Sequence, residues 1–175
     1  MNPVTKAALF AAVVSGVLVV AAAAPASAVP ASSRSDAISG YEYWATSTDG
    51  RFAGTASGAL PGGWRVDVRH TALCLRCAPT ATITGGRFSL LTVVHKFPRL
   101  VTGSFTGGAV QVVNRGARCT DQTFTINGIL SKVGSWSGGN GTGTFAVTLT
   151  HYRRSAFGSC ITYGASVDGT LSLPL

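Results

Sequence analysis

Acidic side chains are scarce in this chain: six Asp and Glu stand against 14 Lys and Arg in 175 residues, and Glu42 is the single glutamate. Catalytic motifs are missing as well. There is no Gly-x-Ser-x-Gly nucleophile elbow, no His-Glu-x-x-His, and no glycine loop cradling a phosphate ahead of a helix. No window of useful length carries the 3.6-residue period, and abundant Gly and β-branched residues oppose helix, so a helical fold is excluded. Dense basic runs are also lacking. Arg51, Arg65, Arg69, Arg87 and Arg99 are scattered singly, and Arg153-Arg154 is the only basic doublet. Without aromatic–basic interleaving, no specific nucleic-acid partner is expected. The composition calls for no cofactor and no metal.

What is present begins with export. Met1 to Ala28 reads as a secretory signal peptide, with Lys6 as its basic start and Ala7 to Ala24 as its apolar stretch. Pro25-Ala26-Ser27-Ala28 ends it in the small-x-small pattern that signal peptidase cuts. The apolar stretch approaches bilayer-spanning length, but it is Ala-rich rather than Leu-rich. Cleavage would leave a secreted chain starting near Val29, with no transmembrane span. Arg outnumbers Lys eleven to three, which with much Ala and Gly suggests a GC-rich bacterial source. Loss of Lys6 with the signal peptide lowers the formal net charge from +8 to +7, which favours contact with an anionic cell-surface polymer outside the cell.

Four cysteines, Cys74, Cys77, Cys119 and Cys160, all lie beyond the signal peptide. An even number in an exported chain implies two disulfides, with three possible pairings. Cys74-Leu75-Arg76-Cys77 lacks the following helix that a thioredoxin-like centre requires. Cys119 and Cys160 do not form the second close pair of a four-Cys zinc site. The expected pairing is Cys74–Cys77 with Cys119–Cys160, because the latter two each precede a strand at one end of the sheet.

Residues 29–39 are Ala/Ser/Pro-rich and read as a disordered leader, with the domain occupying 40–175. From Tyr41 onward the period is two. Trp64, Val66, Val68 and His70 alternate with Arg65, Asp67 and Arg69. Phe145, Val147, Leu149 and His151 do the same, and Ile161 to Leu173 alternates for its whole length. Gly85-Gly86 and Gly107-Gly108 read as two-residue hairpin turns, for about ten strands in all. One pattern recurs, with glycine between apolar neighbours two residues away: Val101-x-Gly103-x-Phe105, Ile126-x-Gly128-x-Leu130, Val167-x-Gly169-x-Leu171 and, more weakly, Phe52-x-Gly54-x-Ala56. Inward glycines suit strands that bend sharply or admit a close neighbour. The expected fold is all-β, a single antiparallel barrel, with a β-sandwich as the alternative. In general look the chain is similar to small secreted barrels of the lipocalin, avidin or dirigent-like kind. No motif is shared, so the likeness concerns fold and assigns no function.

His70 and His151 each end an apolar stripe and are the candidate catalytic residues, expected to face inward at one rim with Glu42 and Tyr163 nearby. The bland alternative is that each imidazole satisfies its nitrogens on nearby backbone. Tyr41, Tyr43 and Trp44 surround Glu42, with the two tyrosines on one face and Trp44 on the other. They are candidates for stacking on sugar rings or for core packing. Trp136, in a Gly/Ser loop, either folds over a barrel mouth or meets a partner. Tyr163 completes the candidate ligand-binding set.

Three function classes follow. The leading one is a secreted, disulfide-stabilised binding module for a small apolar ligand or glycan, held near an anionic wall. The alternative is a barrel enzyme, an isomerase, cyclase or hydrolase, using His70 and His151 with an acid such as Asp67 or Asp168. The third is a secreted inhibitor or toxin-like interaction protein acting through its Cys74–Cys77 or Trp136 loop.

Overall fold

Val167, Leu171 and Leu173 are fully buried, and the small or polar residues between them are not. The same alternation runs round the molecule on eight strands: β1 (Ser33–Ala45), β2 (Asp49–Ser57), β3 (Gly62–His70), β4 (Thr80–Val94), β5 (Phe97–Asn114), β6 (Gln122–Gly134), β7 (Asn140–Ala156) and β8 (Ser159–Pro174). The structure, a computed structural model, describes residues 33–74, 79–134 and 140–174. Each strand pairs antiparallel with its sequence neighbours, and β1 closes onto β8. A closed barrel has no free sheet edges, and closure excludes the sandwich. No helix among the described residues is long and apolar enough to cross a membrane.

Three sequence expectations change. First, there are eight strands among the described residues rather than ten, because the two Gly-Gly pairs are not turns. Gly85-Gly86 lies inside the continuous β4 and Gly107-Gly108 inside β5. Gly86 and Gly108 adopt φ of 143° and 125°, values that a side chain resists. The β4–β5 ladder is interrupted between Thr82↔Ala109 and Arg87↔Ser104. Across that gap the inward set moves from Ala81 and Ile83 to Phe88 and Leu90 on β4. The pairs therefore act as bulges that re-phase two long strands at one level of the wall. The true β4–β5 turn is His95-Lys96, with φ of 50° and 69° at its two residues.

Second, the leader does not extend to residue 39. Ser33–Ser39 forms the first half of β1 and pairs with β8 from Pro174 onward. Asp36 and Ile38 are its buried positions. The strand was hidden in the sequence because only one of those two positions is apolar. The signal peptide, its cleavage site and residues 29–32 lie outside the described residues. Third, Trp44 does not take the opposite face from Tyr41, as developed below.

The recurring glycines do face inward. A Cβ at Gly128 would collide with the Phe105 ring, and one at Gly103 would press on Val133. The Phe105 ring thus lies over a bare stretch of β6 and packs edge-on against Phe145, centroids 5.8 Å apart. Phe145 in turn meets Trp64 at 6.0 Å. Together with Leu90, Leu130 and Val133 these rings fill the lower end of the barrel. The loop 58–61 is drawn in under them. Its Leu60 is buried, its Leu60 N–H donates to Asp36 Oδ1 at 2.8 Å, and Thr92 Oγ1 donates to the Pro61 carbonyl at 2.6 Å.

Candidate functional site

At the upper end the same strands leave space. A cavity of about 240 Å³ has a floor of Phe52, Val68, Val110, Phe124, Ile126 and Leu149, and polar side chains at its mouth. His70 and His151 both line it. Their parity predicted this, since each is the inward residue after an apolar one: Val68 before His70 on β3, Leu149 before His151 on β7. Glu42 joins them from β1, with its Oε2 2.6 Å from His151 Nε2. A carboxylate only accepts, so the imidazole donates through Nε2. The pair is largely covered, with side-chain exposures of 19% for His151 and 10% for Glu42. The His151 ring is also packed against Phe124, centroids 5.1 Å apart.

His70 is held differently. Its Nδ1 donates to the Thr71 carbonyl at 2.8 Å, which leaves Nε2 as the acceptor nitrogen of the neutral ring. The bland expectation for the histidines thus holds for one nitrogen of His70, while His151 is engaged by a side chain.

The mouth is laced by short-range bonds that fix its shape. In the β1–β2 turn, Thr46 Oγ1 accepts the Asp49 N–H at 3.0 Å, and Thr48 Oγ1 donates to Asp49 Oδ2 at 2.7 Å. The Leu73 N–H donates to the Ser47 carbonyl, and Leu73 packs on the core edge beside the cavity. In the β5–β6 connection, Gln122 Nε2 donates to the Arg115 carbonyl, and Asp121 Oδ1 accepts the Arg153 N–H at 2.9 Å. The expected Cys119–Cys160 disulfide then ties that connection to the β7–β8 hairpin. Cys74 is also disulfide-bonded; its expected partner Cys77 lies outside the described residues. Gln122 and Asp49 had not been singled out from the sequence, although Gln122 continues the inward parity of Phe124 and Ile126.

Other candidates are placed elsewhere. Asp67 is on the outer face of β3, 3.9 Å from Arg51, and Asp168 is exposed on β8. Neither shares the cavity with the histidines, because each occupies the outward parity of its strand. Tyr163 is 60% exposed, with its ring 6.3 Å from Tyr152 and the Arg154 guanidinium over it at 5.4 Å. It does not line the cavity of the histidines, but shares a surface pocket of about 270 Å³ with Glu42, Tyr43 and Trp44.

Tyr41, Tyr43 and Trp44 are all about half exposed. The register slips between Glu42, opposite Phe52, and Trp44, opposite Arg51. Tyr43 is the extra residue of this bulge, so Trp44 returns to the outer face beside Tyr41 while Glu42 stays inside. Core packing is therefore not their role. Trp136 lies outside the described residues. Among the described residues, no group of three or more His, Cys, Asp or Glu could hold a metal ion.

The fold and site define an eight-stranded up-and-down barrel, filled at one end and hollow at the other. No family model, curated protein or solved structure matches the chain.

Proposed function

We propose that this barrel is a secreted binding module whose upper cavity takes a small ligand with an apolar body and one hydrogen-bond-donating head, an alcohol or an amine. The observation that carries the reading is the division of the cavity into an apolar floor and a mouth that offers acceptors. Glu42 presents carboxylate oxygens and His70 presents Nε2, so a hydroxyl or ammonium group meets partners there while its hydrocarbon displaces water below. The laced mouth supports the reading, because a site fixed beforehand loses less ordering entropy on binding. The Cys119–Cys160 bridge fits an oxidising compartment outside the cytosol.

Thermal unfolding with 1-octanol, octylamine and octane tests this. At a hundredfold excess over Kd, the alcohol or the amine stabilises by about 2.7 kcal/mol, several degrees in Tm, and the alkane by much less. Native mass spectrometry of protein from its own culture fluid complements it. No shift with any of the three probes and no retained small molecule would overturn the reading.

A second reading rests on the 2.6 Å His151–Glu42 contact. An imidazole held by a carboxylate above an apolar floor is suited to proton transfer, which favours an isomerase or cyclase. The hydrolase version loses its acids, because Asp67 and Asp168 are outside. Turnover of an enolisable ketone that vanishes in His151→Ala and persists in Arg51→Ala would establish it.

A further inference from the structure

Four arginines that stand alone in the sequence meet on one outer face of the barrel. Register sets Trp44 opposite Arg51, Arg51 opposite Asp67, Asp67 opposite Arg87, and Arg87 opposite Ser104. The flanking outer rows add Tyr41, Ala53, Arg65 and Ser89 on one side, and Asp49 with Arg69 on the other. Three connected grooves run along this face. The first, about 510 Å³, lies between Tyr41, Arg65, Leu91 and Leu100. A second of about 510 Å³ is bounded by Tyr43, Arg65, Arg87 and Ser104, and a third of about 300 Å³ by Arg51, Asp67, Arg69 and Arg87. Arg65 and Ser89 belong to the first two, Asp67 and Arg87 to the last two. From Leu91 to Gly86 along β4 the trough is about 17 Å long at ordinary strand rise.

We infer that this trough binds an extended acidic polysaccharide, a chain of pyranose rings bearing carboxylates. The charge is suited to it. Asp49 is engaged by the hydroxyls of Thr46 and Thr48, and Asp67 lies near Arg51. Arg65, Arg69 and Arg87 have no carboxylate partner among the described residues. Guanidinium forks match carboxylates in two-point geometry. Gly85 leaves room for the Arg69 guanidinium, which lies 3.1 Å from where a Cβ would stand.

The rings are suited to it too. Tyr43 overhangs the groove between Arg65 and Arg87, and the Arg51 guanidinium stacks on Trp44 at 4.4 Å. Half-exposed rings beside a groove present flat apolar faces of the kind that pyranoses cover. Hydroxyls along the floor (Ser89, Thr102, Ser104) and the carboxylate of Asp67 can bond to sugar hydroxyls. A phosphodiester backbone has no donor to offer the carboxylate of Asp67, whereas sugar hydroxyls donate to it, which argues for a carboxylated sugar polymer over a nucleic acid. The inference concerns the outside of the barrel and stands apart from the interior cavity.

Binding to sodium alginate, measured by biolayer interferometry on the full secreted chain, tests it, with dextran and a single-stranded oligothymidylate as comparisons. Alginate is expected to bind at low salt, weaken on adding salt, and exceed both comparisons. Arg65→Gln with Arg87→Gln should weaken binding about tenfold. Tyr43→Ser, which leaves the charge intact, should weaken it about threefold. Arg115→Gln with Arg118→Gln, at the upper end, removes the same charge and should change it less than about twofold. Circular dichroism confirms that each variant is folded. No alginate binding, tighter binding of the oligonucleotide, or an equal loss in the control pair would each overturn the assignment.

Discussion

Phe145 and His151 stand on the same face of β7, yet they occupy opposite surroundings. Phe145 is wedged between Trp64 and Phe105 at the lower end, where little space is left. His151, three inward positions further up, borders an open cavity and binds a carboxylate. The strand alternates identically through both places, so alternation cannot explain the contrast. What differs is the opposite wall. Below, inward glycines on neighbouring strands let large rings cross the barrel and interlock. Above, Gln122 is the β6 neighbour of His151, and Gly50 and His70 line the cavity across from them. The filled end supplies stability, and the hollow end is left free to bind.

Substitutions that treat the two ends alike should break this contrast if it is wrong. The largest effect is expected from Phe145→Ala, which removes the ring both other aromatics lean on. Loss of about 3–5 kcal/mol is expected in urea unfolding, and a loss under about 1 kcal/mol would mean the lower end is not packed as described. Opening the Cys119–Cys160 bridge by double Cys→Ala replacement should cost about 3–4 kcal/mol on the chain-entropy estimate. Its second effect should be confined to the mouth, with faster amide exchange in residues 115–121 and 156–160 but not at Trp64.

Gly128→Ala sets a methyl group against the Phe105 ring and should cost about 1–3 kcal/mol. Pairing it with Phe105→Leu should recover part of that loss, which a purely conformational cost of replacing glycine would not. The smallest change in stability is expected at the hollow end. Replacing Glu42 and His151 together by Leu and Phe exchanges a covered polar pair for apolar groups, a swap that often leaves stability nearly unchanged. Unfolding free energy should move by about 1 kcal/mol or less, while the thermal shift with an alcohol or amine ligand disappears.

Much of this was legible in the residues. The strands β3, β7 and β8 announce themselves by strict alternation, and that alternation alone placed His70 and His151 inside. The Gly-Gly pairs misled because a turn and a bulge ask for the same residue: both need a backbone with positive φ, and only the partner strand shows whether the chain reverses or continues. Trp44 was misplaced for a related reason, since one extra residue in β1 inverts the parity of everything after it. Nothing local marks Tyr43 as that residue.

Neighbours along the chain are enough to encode that the fold is all-β, which positions alternate, and which glycines lie inward. Tertiary structure alone decided that the sheet closes, that Glu42 meets His151 across 109 positions, and that Arg51, Arg65, Arg69 and Arg87 share one face. Those relations depend on strand register, which is set by pairing between distant segments and by bulges that shift it one residue at a time.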